Sequence, residues 1–160
     1  MNIGIIVYSK TGNTLQVAER IATALTQKGD HVELQRFTAE TESPQSNRPI
    51  HLSALPDPNG YDALIIGAPV QAFSLDPAMT MYLKQIGALR NVPTLCFITQ
   101  HFKKAWMGGN RAMKQLLEQL KEKGAPATAT GVVNWTSEQR EAQIDLIVRQ
   151  CVKALTRQDR

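Results

Sequence analysis

Three short apolar runs, residues 2–8, 61–67 and 92–99, constrain the fold of this chain more than any other feature. Each is a continuous, mainly apolar run, the first of them largely β-branched, rather than an alternation of apolar and polar side chains. A strand with one wet face alternates, whereas an unbroken run needs cover on both faces, the situation of a parallel sheet wrapped by helices. The segments between the runs supply that cover. Val17, Ile21, Ala24 and Leu25 recur at helical spacing until Gly29, and Met79, Leu83 and Ile86 do so after Asp76-Pro77, where proline suits a first turn. Ala112, Leu116 and Leu120, widened by Met113 and Leu117, precede Gly124, and Ile144, Ile147, Val148, Cys151 and Leu155 form one stripe of a helix expected from Ser137. Residues 31–37 alternate as a half-covered strand would, and residues 127–135 form a weaker fifth strand. The period is five rounds of strand then helix, which predicts an α/β fold with a doubly wound, five-stranded parallel sheet.

The second crossover breaks the pattern. Residues 38–60 are rich in Pro, Ser, Asn and Asp, a composition that favours turns and blocks long helices. They read as an irregular connection within a single domain spanning residues 1–160, with Ile50, Leu52 and Leu55 as anchors. A chain of 160 residues with 42% hydrophobic side chains buries one ordinary core, which excludes disordered and fibrous classes. No apolar run approaches the roughly 18 residues that cross a bilayer, and the first residues carry no export signal, so a soluble, cytoplasmic protein without membrane insertion is expected. Cys96 and Cys151 sit in separate apolar stretches with no Cys or His nearby to complete a metal site, which fits a reducing compartment.

The net charge is +4, and its distribution matters more than its size. Residues 77–117 contain no Asp or Glu but include Lys84, Arg90, Lys103, Lys104, Arg111 and Lys114, so one side of the molecule is expected to be cationic. No nucleic-acid motif accompanies these cations, and a solvated face is the better account of them. No G-x-S-x-G turn is present to support a hydrolase.

Ligands of doubly wound sheets bind outside the carboxyl ends of the strands, so the loops that follow the strands carry the functional reading. The first, Ser9, Lys10, Thr11, Gly12, Asn13 and Thr14, places three hydroxyls, an amide and a glycine between a strand and a helix start. Helix N-termini present free N–H groups and the positive end of the dipole, which suits a phosphate. Alternatively Thr11 or Asn13 simply caps the helix. It matches neither the Walker A pattern nor the dinucleotide fingerprint.

This loop after a first apolar strand resembles the [ST]-x-T-G-x-T phosphate loop of the flavodoxin family. Gly67-Ala68-Pro69 and Gly108-Gly109-Asn110 fall where that family's ring-facing loops lie, and the likeness in motif, element order and length extends from residue 2 to about 155. The resemblance implies strand order 2-1-3-4-5 and FMN as cofactor, its phosphate on the first loop. The second loop, Ala68, Pro69, Val70, Gln71, Ala72, Phe73 and Ser74, would then face the ring, with Phe73 either stacked on it or buried beneath the next helix. The third follows Thr99 at the strand end and runs from Gln100, His101 and Phe102 through Lys103, Lys104 and Trp106 to Gly108, Gly109 and Asn110. Its aromatics offer a stacking surface and its lysines favour an anionic reduced ring. In the bland alternative Trp106 plugs the fold and the lysines are merely solvated. No side chain is assigned as catalytic, because the flavin carries the chemistry.

Carrier members of that family are usually strongly acidic, and this chain departs from them. Coulomb reasoning on the acid-free stretch predicts a stabilised anionic reduced flavin, which leans toward an FMN-dependent oxidoreductase of the quinone- or FMN-reductase type using NAD(P)H or a reduced protein as donor. The alternatives are a one-electron carrier that docks an acidic redox partner through Lys103 and Lys104, and a non-redox module that binds a phosphorylated ligand. A homodimer covering the flavin through the third loop is a further expectation.

Overall fold

The computed structural model describes residues 1–40 and 50–158. Five parallel strands form the main sheet: β1 (Asn2–Tyr8), β2 (His31–Phe37), β5 (Ala63–Gln71), β7 (Thr94–Gln100) and β8 (Ala127–Asn134). They lie in the order β2-β1-β5-β7-β8, which is the expected 2-1-3-4-5. β1 is the pivot, pairing with β2 from Asn2–His31 to Tyr8–Phe37 and with β5 from Ile3–Ala63 to Val7–Gly67. Its neighbours therefore leave in opposite directions, and the first connection diverges from the others at the carboxyl edge.

The apolar runs are unbroken because both faces of the sheet are dry. Ile3, Ile5 and Val7 pack with Val17, Ile21 and Leu25 of α1 (Asn13–Lys28) and with Ile144, Ile147, Cys151 and Leu155 of α4 (Arg140–Gln158). Ile6 and Tyr8 point the other way, toward Met79, Tyr82 and Leu83 of α2 (Pro77–Gln85) and Ala112, Leu116 and Leu120 of α3 (Gly109–Glu122). All seven residues of β7 are buried, as a central strand requires. α1 and α4 are joined on the surface by Arg20, whose Nη1 lies 2.5 Å from Glu141 Oε2 and whose Nη2 pairs with Asp145.

Three features differ from the sequence reading. α4 begins at Arg140 rather than Ser137, because Ser137 N–H donates to Asn134 O in a turn that closes β8 first. The connection 38–60 is irregular as expected but contains β3 (Ala39–Glu40) and β4 (His51–Leu52), a short antiparallel pair. Leu52 packs against the core, Ile50 is half-buried outside it and Leu55 is exposed, so of the three expected anchors Leu52 holds; residues 41–49 lie outside the described residues. Finally, β5 continues past Gly67 to Gln71 and folds back as β6 (Ser74–Leu75), making the second loop a β-hairpin.

Ile65 sits on a central strand, has no exposed surface and contacts the α1/α4 face. Its replacement by alanine removes three buried carbons and leaves a cavity. Ile65→Ala should lower the unfolding free energy by about 2–5 kcal/mol with an unchanged denaturant slope, measured by urea titration.

Candidate functional site

The chain folds its first and second loops, and the start of the third, into one cavity. It measures about 350 Å³ and opens at the carboxyl edge of the sheet beside β1. Lys10, Thr11, Asn13 and Thr14 line it from the first loop, and Pro69, Val70 and Gln71 from the hairpin. Thr99, Gln100 and His101 line it from the end of β7. That volume lies within the usual range of small-molecule sites.

The first loop ends at Gly12, whose φ of 96° is left-handed and natural to glycine alone. No side chain caps α1, and no acidic residue occupies its first turn, which removes the plain capping role considered for Thr11 and Asn13. Of the earliest N–H groups of the helix, that of Leu15 is taken by Ser9 Oγ, while those of Asn13 and Thr14 have no intrahelical acceptor and stand at the cavity wall with the positive dipole end. Ser9 is buried beneath the loop, where its Oγ accepts Leu15 N–H at 3.2 Å, so it shapes the turn rather than the cavity wall. The Thr14 and Thr99 hydroxyls bond each other at 2.8 Å, tying the first loop to the third strand-end.

Arg36, at the end of β2, was not singled out by the sequence. Its Nε and Nη2 donate to Ser9 O at 2.9 and 2.6 Å, holding that carbonyl on the outer side of the loop. The clue was its place: a cation one residue from the end of the strand beside β1. Tyr8 and Asp76 also line the cavity without having been expected there. Asp76 is the N-cap of α2, its Oδ1 accepting Ala78 N–H at 2.9 Å. Burial pushes its carboxyl above the usual range, with the Ala78 N–H and the Lys10 charge partly offsetting this. Burial, and then the nearby Asp76 charge, likewise raise the Tyr8 phenol.

The hairpin turns through Ala72 and Phe73 with φ of 49° and 61°. Such a turn ordinarily takes Asn and Gly, so two side chains sit in a strained conformation beside the cavity. Phe73 is 52% exposed, not buried beneath α2, and stacks on Phe102 with ring centroids 5.3 Å apart and planes 4° from parallel. Trp106 is 75% exposed and plugs nothing. Ala68 is buried under the site. Phe73, Phe102, Trp106, Gly108 and Gly109 thus stand beside or behind the cavity rather than in its wall.

The third loop is held from within. Gln100 Nε2 donates to Lys104 O at 2.6 Å and to Asn134 Oδ1 at 2.5 Å, and Thr136 Oγ1 donates to His101 O at 2.7 Å. α3 then starts at Gly108, again left-handed with φ of 119° and again without a side-chain cap. A Cβ at Gly108 would lie 2.8 Å from Phe73 Cα, so this glycine lets the second and third loops touch.

The family model described as a flavodoxin domain matches residues 4–157. The chain belongs to the flavodoxin family. Curated protein sequences include no match to it. Among solved structures, oxidised flavodoxin 1 of Bacillus cereus superposes with a TM-score of 0.69 at 19% identity, covering 98% of each chain. Oxidised flavodoxin 2 of the same organism gives 0.68 at 20% identity, over 95% of this chain and 96% of that one. Rubredoxin:oxygen oxidoreductase of Desulfovibrio gigas gives 0.63 at 19% identity, this chain corresponding to 36% of that longer protein. FMN is the cofactor of the family, and the donor set here fits it: hydroxyls, an amide and the α1 start at one end, the hairpin and the end of β7 at the other.

Gly108→Ala combines a disfavoured φ with a backbone clash. It should destabilise the flavodoxin domain by about 1–3 kcal/mol and move the amide resonances of residues 70–75 along with its own, measured by thermal unfolding and ¹⁵N NMR.

Proposed function

We propose that this flavodoxin-family redox protein holds FMN with its phosphate on Thr11, Asn13, Thr14 and the α1 N-terminus, and its ring between the hairpin and the third loop. In this reading it works as an FMN-dependent oxidoreductase. Bound there, the flavin supplies electron or hydride transfer; the chain supplies position and field. The observation that carries the oxidoreductase reading is the charge of the ring end. α3 begins with no acid in its first turn, and Lys103 and Lys104 stand exposed on the third loop, while Asp76 is the one carboxyl in the cavity wall. Such surroundings stabilise an anionic reduced ring and give a milder reductant than an acidic site does. The exposed Phe73–Phe102 stack lies beside the same end and offers a flat apolar surface to a quinone or nicotinamide.

One observation favours the carrier reading. Lys103 and Lys104 are exposed next to Phe102 and Trp106, a cationic and aromatic rim that suits an acidic redox protein. Reversing both lysine charges should then slow reduction by such a partner and flatten its salt dependence while leaving FMN binding intact.

The purified protein, reconstituted with FMN, should show a two-banded yellow spectrum. Anaerobic bleaching by NADH or NADPH supports the oxidoreductase; inertness toward both, with a long-lived one-electron state on dithionite titration, supports the carrier. Thr11→Val/Thr14→Val should weaken FMN binding by about 1–3 kcal/mol, roughly 5- to 150-fold, read by quenching of flavin fluorescence. Unchanged flavin occupancy in that double variant would remove the phosphate-loop assignment.

A further inference from the structure

Asp76 supplies the one carboxyl among the residues lining the cavity, and it stands in an unusual place for a site that receives a phosphate. It is 8% exposed. Its backbone N–H donates to Pro69 O at 3.1 Å, which fixes it between the hairpin and α2. Of its side-chain oxygens, Oδ1 is committed to Ala78 N–H. The groups that face it are Lys10 from the first loop and Tyr8 from β1, with His101 on the third loop in the same cavity wall. The hairpin and the first turns of α2, residues 69–75 and 77–83, contribute no charged side chain.

Among the described residues, Lys10 is the cation that faces an ionised carboxylate here. A phosphate bound on the first loop brings a further charge of about −1.5 to −2, competes for Lys10, and displaces the water that solvates Asp76. Each of these acts in the same direction, against the ionised form. The neutral acid keeps one oxygen to accept Ala78 N–H and turns the other into an O–H donor.

We infer that the cavity takes up FMN with Asp76 in its protonated form, so that cofactor binding consumes a proton from solvent and Asp76 becomes a hydrogen-bond donor within the cofactor site. This rests on the FMN reading above and assigns it a further recognition residue. The balance is simple: apoprotein with an ionised Asp76, one proton and FMN give the complex with a neutral Asp76. Affinity is then flat below the carboxyl's pKa in the free protein. It falls as pH rises from that value toward the higher pKa in the complex, by up to about tenfold per unit, and is flat again beyond.

The test is FMN binding to the apoprotein from pH 5 to 9, by fluorescence quenching, together with calorimetry in two buffers of different ionisation enthalpy to count protons. It is run on the wild type and on Asp76→Asn, in which the Asn oxygen can still accept Ala78 N–H. The contribution of the phosphate itself is common to both proteins and drops out of the difference. The wild type should take up more protons than the variant, by a fraction approaching one per FMN, and its affinity should fall more steeply with pH. The variant should bind about tenfold or more tightly than the wild type at the alkaline end. Equal proton uptake in the two proteins overturns the proposal. So does a variant weakened at every pH, which would make Asp76 an ionised acceptor for the cofactor. If neither protein, both folded by circular dichroism, binds FMN at any pH, the FMN reading itself fails and the proposal falls with it.

Discussion

The parallel pairing of β1 with both β2 and β5 is the constraint on which the rest depends. Because β1 lies inside the sheet, its residues must be apolar on both faces. Because its neighbours connect in opposite directions, the chain leaves an open crevice at its carboxyl end. Tyr8 closes β1 at that crevice, and the first loop starts at once from Ser9. The second loop rises from β5 on one side and the third from β7 beyond it. The three functional segments are neighbours because of strand order, although residues 14 and 99, bonded through their hydroxyls, are 85 positions apart.

The electrostatics of the site follow from how its helices begin. α1 and α3 both start at left-handed glycines; Asn13 and Thr14 at the α1 start line the cavity, whereas the α3 start stands beside it. α2 starts with a capping aspartate, and that difference introduces the single carboxyl into the cavity wall. Glycine at an N-cap costs a helix only about a few tenths of a kcal/mol relative to a capping side chain, and the α1 end in return offers donors to an anion.

The fold was legible in the sequence because its signal was repeated. Each apolar run, each helical stripe and the order between them pointed to the same doubly wound sheet, and the structure and family follow that order. The first loop was legible for a similar reason, since motif and position coincided. What escaped was tertiary. Nothing local distinguishes Arg36 from any other strand arginine; its role appears only when β2 pairs with β1 and brings it to Ser9 O. Asp76 reads in sequence as an N-cap before proline, which it is, and its second role as cavity wall comes from the hairpin that precedes it. That hairpin was itself hidden, because Ala72-Phe73 lacks the Asn-Gly signature of the turn it makes. The aromatics were placed on their loops by the sequence, but nothing in it showed that Phe73 and Phe102 stack on each other beside the cavity.

The central claim is that the three carboxyl-edge loops form one FMN site. The most direct test is a titration of ¹⁵N-labelled apoprotein with FMN, following each assigned amide. The account predicts the largest shifts at Thr11, Gly12, Asn13 and Thr14, then along the hairpin at Val70 and Gln71 and across the third loop from Gln100 to Gly109. Shifts centred instead on the groove between α2 and α3, near Thr80, Lys84 and Gln119, or no shifts at saturating FMN, would contradict it.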